Sequence, residues 1–219
     1  MSPLVTRLEP ERARSRRTIL ELDGERIRLM PNLLVTRLGL EAGDEVDAAH
    51  LAEQAARVEP GLARERALYL LSYRERSCGE LLGKLADDGY EPRLAADLVA
   101  DLADRGLVDD RRFTESLVRT LTARGYGRPR VARELTRHRV DPQVAEEALD
   151  AALPADDEYE RALAIARKAA FGRSLDMRRL AGRLARKGFR PGVAIAAARE
   201  ALAEQDPGAG CDETAFAGD

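Results

Sequence analysis

The chain has 219 residues, of which 34% are charged and only 4% aromatic, with no Trp. That is poor material for one large globular core and suits small Ala/Leu-packed helical units with wet outer faces. No stretch approaches eighteen apolar residues, which excludes a membrane-spanning helix, and the net charge of −3 hides strong segregation along the chain. The N-terminus carries Arg and Pro where a signal peptide would have an apolar run. Two cysteines, Cys78 and Cys211, do not make a disulfide framework, so a reducing cytoplasm is the expected location.

In chain order, the first predicted element is a hairpin. Thr18-Ile19-Leu20-Glu21-Leu22 alternates, Asp23-Gly24 follows, and Glu25-Arg26-Ile27-Arg28-Leu29 continues. Asp-Gly between two alternating runs is a strong hairpin signal. A short helix is expected near 32–38, a turn at Gly39, and a further helix near 47–57 leading toward Pro60-Gly61. A lone hairpin is marginal in water, so it is expected to pack on these short helices or on the helical repeat that begins near residue 60.

From there a pattern of about fifty residues occurs three times. Leu81/Val131/Leu180, Leu85/Leu135/Leu184 and Tyr90/Val140/Phe189 form apolar columns, and Pro92/Pro142/Pro191 form a fourth. The i, i+4 spacing is helical, and each proline comes after a short polar turn, where it suits the first position of a helix. Ser77-Cys78-Gly79-Glu80 has capping-box spacing, and Asp141 is a good N-cap before Pro142. Each unit therefore reads as three helices: roughly 61–74, 77–88 and 92–105, then 111–124, 128–138 and 142–153, then 157–171, 175–187 and 191–204. The expected fold is mostly α, a tandem repeat of three three-helix units, elongated and curved, behind a small N-terminal β-hairpin segment. The expected divisions are 1–59 for the hairpin and short helices, 60–110, 111–155 and 156–205 for the repeats, and 206–219 for a disordered acidic tail.

The sharpest functional signal is basic. Residues 111–140 carry nine Arg against Glu115 and Glu134, and 161–190 carry ten Lys or Arg against Asp176, while 141–160 hold eight acidic residues and no base. Arg130, Arg133 and Arg137 share one face of the second helix of repeat two, and Arg179, Arg183, Arg186 and Lys187 do the same in repeat three. Repeat one has Glu80 and Asp87 in the matching columns. With Arg124, Arg128, Arg173 and Arg178 nearby, these residues are the candidate contact for a polyanion or a protein surface loaded with one. An ordinary solvated face is the plainer alternative.

Other motifs read as structure. Asp109-Asp110 suits the start of a helix at Arg111 better than a metal or acid–base pair. Gly125-Tyr126-Gly127 lacks the third glycine and the preceding strand of a dinucleotide loop. Gly79 to Lys84 is one residue short of a P-loop and lies in a helix interior. His50 and His138 have no ligand set around them in sequence. No catalytic constellation and no cofactor are expected.

The residues resemble a family. Arg74-Glu75-Arg76-Ser77 with Glu80-Leu81 and Lys84-Leu85, Gly106-Leu107-Val108-Asp109-Asp110-Arg111-Arg112-Phe113, and Gly125-Tyr126-Gly127-Arg128-Pro129-Arg130 are similar to the bacterial regulatory protein RecX, over roughly residues 15–204. The resemblance implies a non-enzymatic modulator, an inhibitor in most members, of the RecA recombinase in homologous recombination, DNA repair and the SOS response. It implies binding along the groove of the RecA–DNA filament; the basic helix faces lead to an expectation of weak, non-specific contact with single- or double-stranded DNA, and a monomer with no membrane association is expected. Arg139 stands where the family has Gly, which leaves the form of that turn open, and Phe171-Gly172-Arg173-Ser174 makes the third repeat the least family-like. Two other classes stay open: a helix-turn-helix DNA regulator acting without RecA, and a nuclease with an unrecognised site.

Overall fold

The computed structural model of the protein describes residues 2–171 and 176–204. Arg173 and the tail from 206 onward, to which the sequence assigns a basic contact and disorder, lie outside them. The chain forms two compact units, Met1–Asp110 and Arg111–Asp219.

The first unit opens with a three-stranded antiparallel sheet rather than a hairpin alone: β1 (Val5–Pro10), β2 (Arg17–Leu22) and β3 (Glu25–Pro31), in that order. The β2–β3 turn is the expected one, with positive φ at both Asp23 (50°) and Gly24 (81°), as a two-residue loop matched to strand twist requires. Strand β1 is not expected from the sequence because Val5-Thr6-Arg7-Leu8-Glu9-Pro10 does not alternate cleanly; Val5 is buried and Arg7 and Glu9 are exposed. Its place is fixed from the turn. Asp23 Oδ1 accepts from Leu4 N at 2.9 Å, Thr6 Oγ1 accepts from Gly24 N at 2.8 Å, and Asp23 N donates to Leu4 O at 2.9 Å.

Helix α1 (Asn32–Leu38) ends at Gly39, as expected. The helices expected near 47–57 and 61–74 are one helix, α2 (Ala48–Tyr73), and the division drawn at 59/60 falls inside it. Asp47 caps its start, accepting from Ala49 N and His50 N. Pro60 forfeits one i−4 hydrogen bond. Ala55 before it and Leu62, Ala63 and Ala67 after it are buried in the same core, which holds the helix through the proline. Helices α3 (Cys78–Asp87) and α4 (Pro92–Asp104) complete the unit.

The second unit begins at Arg111, one residue into α5 (Asp110–Ala123), and holds the rest of α5 with α6 (Arg128–Arg137), α7 (Pro142–Ala152), a 3₁₀ turn at Ala155–Asp157, α8 (Glu158–Ala170), α9 (Met177–Arg186) and α10 (Pro191–Ala203). It has two apolar clusters, one around Val131, Leu135 and Leu149 and one around Leu163, Leu180, Leu184 and Phe189. Leu81, Leu85, Val131, Leu135, Leu180 and Leu184 are all fully buried, as the columns predict; each such burial contributes about 1.5–3 kcal/mol. Pro92, Pro142 and Pro191 each open a helix.

Two repeated devices shape the units. One is the turn after the second helix. Gly89 N donates to Ala86 O and Tyr90 N to Leu85 O; Arg139 N to Thr136 O and Val140 N to Leu135 O; Gly188 N to Ala185 O and Phe189 N to Leu184 O. Arg139 adopts φ 53°, so its turn keeps the form of the other two despite its side chain. The other device is a buried carboxylate on the first helix of a repeat. Glu59 Oε1 accepts from Glu91 N at 2.9 Å, and Glu158 Oε1 accepts from Arg190 N at 3.0 Å, over the same separation of 32 residues. Each ties the first helix to the residue before the proline. Asp109 stands at that separation from Asp141. Asp110, in the first turn of α5, accepts from Cys78 N at 2.7 Å and satisfies a free N–H at the start of α3, whose cap Ser77 accepts from Glu80 N at 3.0 Å.

Candidate polyanion-binding face

Helix α6 turns Val131 and Leu135 into the core of the second repeat, and helix α9 does the same with Leu180 and Leu184. The 3.6-residue period then puts Arg130, Arg133 and Arg137 on the outer side of α6, and Arg179, Arg183 and Arg186 on the outer side of α9. Asp176 caps α9 by accepting from Arg179 N at 2.7 Å.

The two basic helices meet end to end in one joint. Gly127 N donates to Lys187 O at 2.9 Å. Arg130 Nη1 donates to Arg186 O at 2.9 Å, and Lys187 Nζ donates to Arg124 O at 2.6 Å. Both cations thus serve carbonyls at helix C-termini, the negative end of the dipole. They also flank one ring: Arg130 Cζ lies 4.3 Å and Lys187 Nζ 5.2 Å from the Tyr126 centroid. Gly188 makes the approach possible. A Cβ there would stand 2.4 Å from Arg130 Cβ and 2.9 Å from Arg130 N.

The predicted residues therefore divide. Arg130 and Lys187 are half-buried and hold the joint together. Arg128 is pinned to α7, donating to Asp150 at 2.7 Å, to Leu153 O at 3.3 Å and to Glu146. Arg124, Arg133, Arg137, Arg178, Arg179, Arg183 and Arg186 are exposed. Arg137 reaches Glu134 only at 3.5 Å and Arg179 reaches Asp176 only at 3.4 Å. Among the described residues Arg124, Arg133, Arg178, Arg183 and Arg186 have no carboxylate partner. The acids of α7 are spent on other faces, since Arg111 reaches Glu147 at 3.3 Å and Arg128 takes Glu146 and Asp150. The face is a set of guanidinium groups, each a planar fork of N–H donors that matches phosphate and carboxylate.

The matching column of repeat one differs in more than sign. Glu80 is bonded by Arg74 and Arg76 and its side chain is 12% exposed, so it is a structural ion pair; Asp87 is exposed. Sequence reasoning missed Tyr126, whose role depends on the third repeat, and the Glu59 and Glu158 carboxylates. The signal for the latter was present as an acidic residue at constant distance before each proline-led helix. His138 lies edge-on to Phe113 at 5.4 Å, and exposed His50 contacts Gln54. Among the described residues no group of three or more His, Cys, Asp or Glu is placed to hold a metal ion, and no helix is long and apolar enough to cross a membrane.

Comparison with known proteins now decides the family. The family models for the RecX first and second three-helix domains match residues 63–102 and 109–149. The regulatory protein RecX of Corynebacterium efficiens is 34% identical over 173 residues, which are 74% of this chain and 82% of that protein. The chain belongs to the RecX family of regulatory proteins. Regulatory protein RecX of Mycobacterium sp. strain KMS is 38% identical over 144 residues, 61% of this chain and 78% of the relative. RecX folds are also seen in solved structures: RecX from Lactobacillus salivarius matches with a TM-score of 0.54 at 22% identity, over 66% of this chain and 97% of that one. The two matched three-helix domains overlap the first two of the three repeats read from the apolar and proline columns.

Proposed function

We propose that the protein is a non-enzymatic regulator of the RecA recombinase, an inhibitor that lies in the groove of the RecA–DNA filament and opposes its extension and strand exchange. The observation that carries this reading is the union of the α6 and α9 basic faces at the Tyr126 joint, in a chain of the RecX family. A partner that presents phosphate would be met by exposed guanidinium groups with no carboxylate of their own among the described residues. Such contacts position a partner without reading base sequence. The protein acts as a cytoplasmic monomer and needs no cofactor.

The experiment is RecA strand exchange and filament ATPase with the wild type and with the reversal Arg133→Glu, Arg137→Glu, Arg179→Glu, Arg183→Glu. These four are exposed and lie off the joint, and surface changes of this kind cost less than about 0.5 kcal/mol each. The expected result is loss of inhibition with the helical signal intact. Asp87→Lys, which adds charge to exposed repeat-one surface, is expected to leave inhibition in place. A folded reversal variant that still inhibits RecA would move the contact elsewhere. Tight binding to one duplex sequence in the absence of RecA would favour an independent DNA regulator instead.

A further inference from the structure

The first unit carries a second cationic surface, and this one has aromatic rings on it. The β1–β2 loop contains Arg12, Arg14 and Arg16, all exposed; among the described residues none is in a salt bridge, and Arg12 feels the field of Glu11. The loop is held in place. Ser15 N donates to Arg12 O at 2.9 Å and Asn32 N to Arg16 O at 2.8 Å, while Asn32 Nδ2 donates to Ser15 O at 2.9 Å. Arg17, the fourth arginine, is consumed by Glu11 at 2.7 Å.

Arg16 opens onto a depression of about 600 Å³ that Leu33, Arg66 and Tyr69 also line. Tyr69 is 51% and Tyr73 70% exposed, which is unusual for two tyrosines on a buried-faced helix. Their hydroxyls bond at 2.8 Å and their rings stand edge to face at 5.0 Å, so each fixes the other's rotamer. Arg66 lies 5.5 Å from the Tyr69 centroid, and its own charge is answered by Asp88 at 2.6 Å. Glu65 adds one opposing carboxylate.

The geometry points to a docking site for a single-stranded nucleic acid on the first unit, with bases stacking on Tyr69 and Tyr73 and the backbone following Arg16 and the Arg12–Arg14 loop. Charge complementarity selects the polyanion, and the exposed rings select a strand with free base faces over a duplex, whose faces are stacked away. The site is separate from the α6–α9 face and does not rest on the RecA reading.

The test is binding of a labelled oligothymidine strand of about fifteen nucleotides, and of a duplex of equal length, to the full chain without RecA, followed by anisotropy. With no Trp in the chain, tyrosine emission is also visible, and the strand is expected to quench it. Tyr69→Leu with Tyr73→Leu should weaken strand binding by about tenfold or more, while Tyr69→Phe with Tyr73→Phe keeps the ring faces and binds within about threefold of wild type. Arg12→Gln, Arg14→Gln, Arg16→Gln should lower the log–log salt slope by about 2. Duplex binding should not respond to the Leu pair. Wild-type binding by a folded Leu pair overturns the site. So does an equal loss in the Phe pair, an unchanged salt slope in the arginine variant, or no quenching of wild-type emission.

Discussion

Cys78 shows how a local environment can reverse a general tendency. A thiol in the first turn of a helix is ordinarily made more acidic by the free N–H groups there. At Cys78 that N–H is already taken by Asp110. Burial, with the Asp110 carboxylate adding to it, pushes the thiol from 9.0 up to about 11. At pH 8 the side chain is therefore a packed thiol, and iodoacetamide should label it at least tenfold more slowly than in urea-unfolded chain, read by mass spectrometry of the Cys78 peptide. The linkage has a definite sign. The unfolded thiol gives up its proton near 9 while the folded one holds it to about 11, so stability from this group is lost as pH rises through that window. Cys78→Ala should flatten that part of the curve. Arg161 is the opposite case, a charge that feels the fields of Asp157 and Glu158 but makes no hydrogen bond. All three of its guanidinium nitrogens are buried without a hydrogen-bond partner, and burial pulls its pKa down. A buried donor left unsatisfied costs about 1–3 kcal/mol. Arg161→Met should raise the urea midpoint, by about that much in free energy, at constant m-value.

At the scale of elements, the turn after each second helix separates what a sequence displays from what it conceals. The turn needs a left-handed residue in all three copies, supplied by Gly89, Arg139 and Gly188. A side chain in that conformation costs about 1–2 kcal/mol, so Arg139→Gly should stabilise the chain by up to about that amount, less the entropy cost of glycine in the unfolded state. Gly188→Ala should destabilise it by more than the conformational cost alone, because its Cβ would stand 2.4 Å from Arg130 Cβ and force the α6–α9 joint apart. Urea denaturation of the two variants should therefore shift in opposite directions. Helix existence, the proline starts and the inward leucines were legible because each is a local statement of period or backbone chemistry. Strand β1 was not, since an edge strand with one buried face position leaves little alternation to read. The continuity of α2 through Pro60 was hidden for a different reason: burial on both sides outweighs one lost hydrogen bond, and burial is a tertiary quantity. The basic columns were legible, but the division into exposed guanidiniums and joint-forming Arg130 and Lys187 was not. That division depends on a carbonyl fifty-six residues away in the case of Arg130.

For the whole molecule, charge has to be followed by face rather than summed. The net charge is −3, yet the acids of α7 are answered by Arg111 and Arg128, Glu59 by Arg28, and Glu80 by Arg74 and Arg76. What remains toward solvent on α6 and α9 is cationic. Helices α6 and α9 also contain no Asn or Gln, the side chains that pair bidentately with adenine. Binding to nucleic acid alone should then be electrostatic and indifferent to sequence. If about four to six phosphates are neutralised at this face, affinity for a duplex, which does not use the tyrosine surface, should fall with salt at a log–log slope of about −4 to −5. The reversal Arg133→Glu, Arg137→Glu, Arg179→Glu, Arg183→Glu should remove about 3 to 4 from the steepness of duplex binding. Titrations of wild type and variant across a range of KCl concentrations decide the matter. A salt-independent affinity, or an equal slope in the two proteins, would mean that these guanidiniums face water and carry no phosphate.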